Sequence, residues 1–76
     1  MAEGIDFNIG EEIAFHYADR PDTVVVITRV DPYSGFVDGM DGKGLLYANK
    51  NPKNWTKTGR YFPEVKLLLE ALNKND

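Results

Sequence analysis

Between residues 42 and 63 the chain carries Lys43, Lys50, Lys53, Lys57 and Arg60 and no acid, a local charge of +5. These cations are interleaved with Tyr47, Trp55 and Tyr61 and with Asn49, Asn51, Asn54, Thr56 and Thr58. Basic groups neutralise phosphate, aromatic rings stack on bases, and Asn or Thr can bond to sugar or base edges. The pattern is a toolkit for a small anionic, nucleotide-like ligand. It nominates Tyr47, Lys50, Asn54, Trp55, Lys57, Thr58, Arg60 and Tyr61 as ligand-binding residues. A plainer reading stands beside it, in which Trp55 seals the core against a C-terminal helix and the lysines form a solvated loop attracted to acids elsewhere in the chain. A phosphate loop of the nucleotide-hydrolase kind is excluded, because Gly39, Gly42 and Gly44 open no helix and no Gly-Lys-Thr follows them.

Catalysis needs a positioned nucleophile, an acid–base group titrating near neutrality, or a metal. The chain is poor in all three. His16 is its one histidine and sits between Phe15 and Tyr17 in a strand pattern, which makes it a surface strand residue or a ligand-touching side chain. Glu11 and Glu12 are adjacent, and adjacent strand residues point to opposite faces, so the two cannot share one substrate. Asp38 and Asp41 beside Gly39 and Gly42 suggest a calcium loop only superficially, since no bidentate Glu follows at the twelfth loop position. A hairpin turn accounts for them better. The expectation is a binding protein with no catalytic residues, no metal and no cofactor.

The rest of the charge runs the other way. Residues 1 to 41 hold nine acids against Arg20 and Arg29, a balance of −7, and residues 64 to 76 stand at −1, giving −3 overall. Such asymmetry opens a second reading, a protein–protein inhibitor that docks an acidic face of Glu3, Asp6, Glu11, Glu12, Asp19 and Asp22 on a basic partner. A third reading, a nucleic-acid-binding small barrel, suits a mainly β fold but is disfavoured by a pI near 5.0, because the acidic half repels an extended phosphate backbone. The choice between the first two readings depends on whether the basic loop or the acidic half is the working face.

Seventy-six residues bury one core, so residues 1–76 are read as a single domain. With no cysteine, neither a disulfide nor a Cys-based zinc site supplements that core, and the reducing cytoplasm is the expected compartment. The start Met1-Ala2-Glu3-Gly4 lacks the basic residues and apolar run of a signal peptide, and no stretch approaches the length that spans a bilayer. A core this small leaves self-association into a homo-oligomer open.

The elements that would position these residues read as mainly β. Ile13, Phe15 and Tyr17 alternate with polar or small residues, the period of a half-buried strand. Asp19-Arg20-Pro21-Asp22 turns the chain into Thr23–Val30, the most β-prone run, with Val24, Val26, Thr28 and Val30 on one face and Val25, Ile27 and Arg29 on the other. Two strands, Gly35–Gly39 and Lys43–Ala48, flank the Met40-Asp41-Gly42 hairpin signal. Asn49–Asn54 reads as a loop, Trp55–Thr58 as a short fifth strand, and Gly59 as a bend. Pro63 and Glu64 open a helix over about residues 63–73. Its stripe Val65, Leu68, Leu69 and Leu72 is placed to pack on the strands while Lys66, Glu70 and Lys74 face water. Leu67 lies off that stripe, at the helix edge or in a subunit contact.

The pattern Ile9-Gly10-Glu11-Glu12-Ile13, the Val-rich second strand and Gly35-Phe36-Val37 resemble the start of Src-homology-3-like and Tudor-like small barrels. The resemblance implies an antiparallel five-stranded barrel with a C-terminal helix. The string Trp55-Thr56-Lys57-Thr58-Gly59-Arg60-Tyr61-Phe62, running into a Leu-rich helix, resembles the ending of short accessory proteins of tailed bacteriophages. That match covers roughly residues 55 to 72, and Pro63 departs from the commoner acidic helix start. It implies a phage-encoded protein in the cytoplasm of an infected bacterium, an inhibitor or sponge of host defence that binds a host component or signal. It brings no catalytic residue with it.

Overall fold

The β-branched residues of Thr23–Val30 are stiff at χ1 and pack well on a pleated surface. In the computed structural model, which describes residues 7–74, this run is β2 (Thr23–Val30), the middle strand of one antiparallel sheet. Around it lie β1 (Glu11–Phe15), β3 (Val37–Met40), β4 (Leu46–Lys50) and β5 (Thr56–Tyr61), in the order β4-β3-β2-β1-β5. A 3-10 turn, Pro52–Asn54, precedes β5, and the helix α1 (Pro63–Lys74) follows it. The sheet is not closed into a barrel: β4 and β5 are its two edges. The N-terminal Met1–Gly4 segment and the acids Glu3 and Asp6 lie outside the described residues.

One face of the sheet makes the core. Ile13 stands opposite Val25, Ile27 opposite Gly39, and Val30 opposite Val37. Ile13, Val25, Ile27, Val37 and Trp55 form the buried cluster, with Phe7, Ile9, Phe15, Val30 and Tyr47 packed around it. An irregularity between Ile27 and Arg29 explains why strict alternation fails in β2. An extra residue at a bulge resets which side chains face inward, so Val30 joins the core with Val37 although Ile27 is buried as well.

Carboxylates staple the hairpins. Asp31 Oδ1 accepts the Tyr33 N–H at 2.9 Å in the β2–β3 connection. Asp41 Oδ1 accepts the N–H groups of Lys43 and Leu45, both at 2.9 Å, between β3 and β4. That staple explains why β4 starts at Leu46 and not at Lys43: the loop is held wide, and the strand runs on through Asn49 and Lys50, which the sequence assigns to a loop. Asp38 bridges three strands, its Oδ1 taking the Asn49 N–H at 2.9 Å and its Oδ2 the Arg29 Nε–H at 3.0 Å. All three carboxyls are held below the ordinary Asp range, chiefly by these backbone N–H donors, and for Asp38 by the Arg29 guanidinium as well.

Strand β5 is longer than the sequence suggests. Gly59 does not end it; at φ +93° it absorbs an irregularity in the β1–β5 pairing, where Glu11 stands opposite Tyr61 but Ile13 opposite Lys57. After β5 the chain is pinned at Gly10, whose N–H donates to the Ile27 carbonyl at 2.9 Å and whose carbonyl accepts the Phe62 N–H at 2.7 Å. The helix leaves from that point. Its packing corrects the expected stripe: Val65 and Leu69 are half-buried, whereas Leu68 and Leu72 stay exposed. The periodicity of α1 defines an apolar side wider than the part the sheet covers. Among the described residues no helix is long and apolar enough to cross a membrane.

Candidate functional site

The antiparallel pairing of β1 with β5 sets the basic segment against the acids of the first strand. Lys57 Nζ lies 3.1 Å from Glu11 Oε2, and Arg60 Nε lies 4.0 Å from Glu12 Oε1. The Thr58 hydroxyl donates to Glu12 Oε1 at 2.7 Å and accepts the Arg60 N–H at 3.3 Å. Lys57, Thr58 and Arg60 are therefore engaged within the sheet. The acidic half is engaged in the same way: Asp22 Oδ2 lies 2.8 Å from His16 Nδ1, and Asp19 Oδ1 lies 3.8 Å from Arg20 Nε. Of the basic segment, Lys57 and Arg60 are thus matched by acids distant in sequence.

The other nominated residues scatter. Trp55 is 8% exposed and meets Phe15 edge-on, with ring centroids 5.3 Å apart, so it is a core residue. Tyr47 packs against the same core from β4, with Lys50 Nζ 6.0 Å from its ring centroid. Asn54 is exposed at the end of the 3-10 turn, its N–H donating to the Asn51 carbonyl at 3.2 Å. Tyr47 and Lys50 stand on one sheet edge while Lys57, Thr58, Arg60 and Tyr61 stand on the other. The eight nominated residues form no single surface in the sheet order.

Tyr61 alone of the set lines a cleft of about 540 Å³, formed where the chain ahead of β1, the end of β2, β5 and α1 converge. Phe7, Ile9 and Val30 supply its apolar wall, and Asn8, Glu11 and Lys66 its polar groups. The turn at Gly10 builds it. Gly10 adopts φ +98°, a value that side chains resist, and a Cβ there would lie 2.6 Å from the Phe62 carbonyl oxygen. This close approach joins the residues on either side of Gly10, Ile9 and Glu11, to the start of α1 and hence to Lys66.

The electrostatics of the cleft are one-sided. Glu11 is fully occupied, one oxygen accepting the Asn8 N–H at 2.7 Å and the other facing Lys57. Lys57 Nζ also lies 5.2 Å from the Phe7 ring centroid, a cation–π distance that stiffens the apolar wall. Lys66, also in the lining, forms no ion pair among the described residues. The chain matches no protein-family model, no curated protein and no solved structure. The cleft's lining offers the apolar side chains of Phe7, Ile9, Val30 and Tyr61 and one ammonium, that of Lys66.

Sequence reasoning reached Tyr61 and missed the rest. Lys66 reads as a water-facing helix residue, and Ile9 and Val30 read as ordinary strand positions. The available signal was Gly10 directly ahead of the first strand, a residue free to take the positive φ of a turn. His16 is exposed past the end of β1, bonded to Asp22, and takes no part in lining the cleft.

Proposed function

We propose that this chain is a non-enzymatic binding domain that captures a small anionic ligand with a flat body, of the nucleotide class, in the cleft between β5 and α1. The observation that carries the reading is a cleft of about 540 Å³ whose lining combines Phe7, Ile9, Val30 and Tyr61 with Lys66, which forms no ion pair among the described residues. That volume falls within the roughly 300–1,000 Å³ typical of small-molecule sites, which are mostly apolar with a few placed polar groups. Tyr61 offers a ring for stacking, and Lys66 a mobile ammonium for a phosphate or carboxylate. No step of bond making is part of the proposal.

The strand order β4-β3-β2-β1-β5 with a 3-10 turn directly ahead of the last strand supports reading the sheet as a partly open small barrel of the Src-homology-3-like kind. The resemblance of Trp55–Phe62 to the ending of phage accessory proteins supports a role in which capture of a host signal, inside an infected bacterial cell, is itself the activity. The pairing of Glu11 with Lys57 and of Glu12 with Arg60 favours ligand capture over docking through an acidic face.

Titration of the isotope-labelled protein with nucleoside monophosphates and cyclic dinucleotides, followed by amide chemical shifts, tests this. Shifts grouped at Ile9, Val30, Tyr61 and Lys66 are the expected outcome. Shifts grouped at Tyr47, Lys50 and Asn54 instead would move the site to the β4 edge, and none at millimolar ligand would remove nucleotides as its class.

A further inference from the structure

The two edges of the sheet differ in what their cations do. On β5, Lys57 and Arg60 are paired with Glu11 and Glu12 of the neighbouring strand. On β4, Lys50 forms no ion pair among the described residues, and neither does Lys53 in the 3-10 turn that follows. Lys43 stands in the loop at the other end of β4, and residues 42 to 63 contain no acid. The carboxyls of Asp38 and Asp41, which touch this edge, are already engaged by backbone N–H groups and, for Asp38, by Arg29. The β4 edge therefore carries positive charge that the fold does not compensate.

Its backbone is open as well, since among the described residues no strand pairs with its outer side. The Asp41 N–H donates to the Leu45 carbonyl at 3.1 Å, which makes that pair a hydrogen-bonded one. Bonded and non-bonded pairs alternate along an antiparallel ladder. At the next pair, Met40 with Leu46, the N–H and C=O of Leu46 therefore turn away from β3, and those of Ala48, two residues on, do the same. Asn49, at φ +56°, interrupts the extended backbone and ends this stretch. Met40 and Leu46 stand opposite each other with their side chains exposed, an apolar pair beside the open backbone.

We infer that the β4 edge takes up an extended acidic segment of a partner protein as an added strand. Each part of that description answers a group on the edge. The outward N–H and C=O groups are met by the main chain of an extended peptide. The uncompensated lysines at both ends of the strand are met by carboxylates. Met40 and Leu46 accept the apolar side chains that alternate with those acids. A second copy of this chain is a poor occupant, because its own edges carry Lys50 on one side and Lys57 and Arg60 on the other, and like charges facing each other across strands destabilise the pair. Lysines on an edge guard against such self-pairing, and the same lysines select an acidic strand. The complex is weak and reversible, since Asn49 keeps the pairing short. This inference is independent of the ligand proposed for the cleft, which β4 does not line.

Titration of the isotope-labelled protein with a capped peptide alternating valine and glutamate, about six residues long like an ordinary strand, tests it. The expected result is a set of amide shifts confined to residues 45–50, with slowed solvent exchange of the Leu46 and Ala48 N–H groups. The same peptide with lysine in place of glutamate shifts nothing, and methylating the backbone nitrogens of the acidic peptide abolishes its binding. Lys50→Glu replaces an exposed attraction by an exposed repulsion and weakens binding by roughly threefold to tenfold. Lys50 is an exposed edge residue, so this variant keeps the fold, as far-ultraviolet circular dichroism verifies. Absence of shifts at about 1 mM acidic peptide overturns the inference. So does equal binding of the lysine or the methylated peptide, an affinity unchanged in Lys50→Glu, or a set of shifts that gathers at Thr56–Tyr61 instead.

Discussion

Replacing Gly10 by Ala is a sharp test of how the cleft is built. Two costs add at that position. A non-glycine residue at φ +98° carries strain of about 1–3 kcal/mol. The new methyl group would also stand 2.6 Å from the Phe62 carbonyl oxygen, closer than atoms tolerate, and 3.1 Å from the Tyr61 ring, a tight contact that the ring must give way to. Relieving that contact moves the β5–α1 junction away and sacrifices the Phe62-to-Gly10 backbone bond of 2.7 Å, a further loss of about 1 kcal/mol. The expected destabilisation is about 2–4 kcal/mol, a large part of the roughly 4–11 kcal/mol that a chain of this size possesses. Each kcal/mol lowers Tm by about 4–8 °C in such small domains, so thermal melting followed by circular dichroism should shift down by about 10–25 °C. Gly42→Ala is the control, since a Cβ there meets nothing within 4 Å, and it should stay within about 0.5 kcal/mol of the parent. If the two variants melt together, the crowding at Phe62 is not what pins the helix, and the account of the cleft fails at its foundation.

Other outcomes follow from the same contacts. Trp55→Ala empties the largest side chain of the core cluster and should cost about 3–5 kcal/mol, read from the midpoint of urea unfolding; a cost under about 1 kcal/mol would return Trp55 to the surface. Thr58→Val removes an exposed hydroxyl from Glu12 and should cost less than about 1 kcal/mol in the same assay; a loss above about 2 kcal/mol would show that this hydrogen bond holds β5 on β1. Acid sensitivity has a definite sign. Asp31, Asp38 and Asp41 bind protons less readily folded than unfolded, so their contribution is fully present above the ordinary carboxylate value of 3.8 and is lost as pH falls through their depressed folded values. Unfolding midpoints between pH 6 and pH 2 should therefore fall with pH, and Asp38→Asn should lower the plateau and flatten the fall; an unchanged slope would show that Asp38 is not among the groups responsible.

Several parts of the fold were legible because one physical constraint decided each of them. The β-branched residues of Thr23–Val30 can hardly do anything but pair, and Pro63, Glu64 and the leucine spacing specify a helix observed over Pro63–Lys74. Strand limits were less legible where side chains intervene. Asp41, by gripping Lys43 and Leu45, delays β4, and Gly59, by absorbing the pairing irregularity, extends β5 through what reads as a bend. Closure into a barrel does not follow from alternation, and the two edge strands remain apart in the sheet order. Periodicity likewise shows that α1 has an apolar side without showing how much of it is covered.

The candidate site was harder to read for a related reason. The segment rich in cations looks free along the chain, yet the register of β1 against β5 delivers Glu11 and Glu12 to Lys57 and Arg60 from more than forty residues away. Conversely Lys66, one helical cation among several in the sequence, is singled out only by the turn at Gly10 that folds Phe7, Ile9 and Glu11 beneath it. Side-chain type is legible along the chain, whereas long-range pairing decides which cations meet an acid, as Lys57 and Arg60 do.

The measurement that bears most directly on ligand capture is native mass spectrometry of the protein purified from bacterial cells, before and after incubation with a nucleotide panel that includes cyclic dinucleotides. A discrete ligand mass should be retained by the parent and by Lys53→Ala. In Lys66→Ala, loss of one charge-assisted contact of about 1.5–3 kcal/mol should weaken retention by roughly ten- to a hundred-fold. A parent that retains no nucleotide, or a ligand mass that survives both Lys66→Ala and Tyr61→Ala, would contradict capture in this cleft.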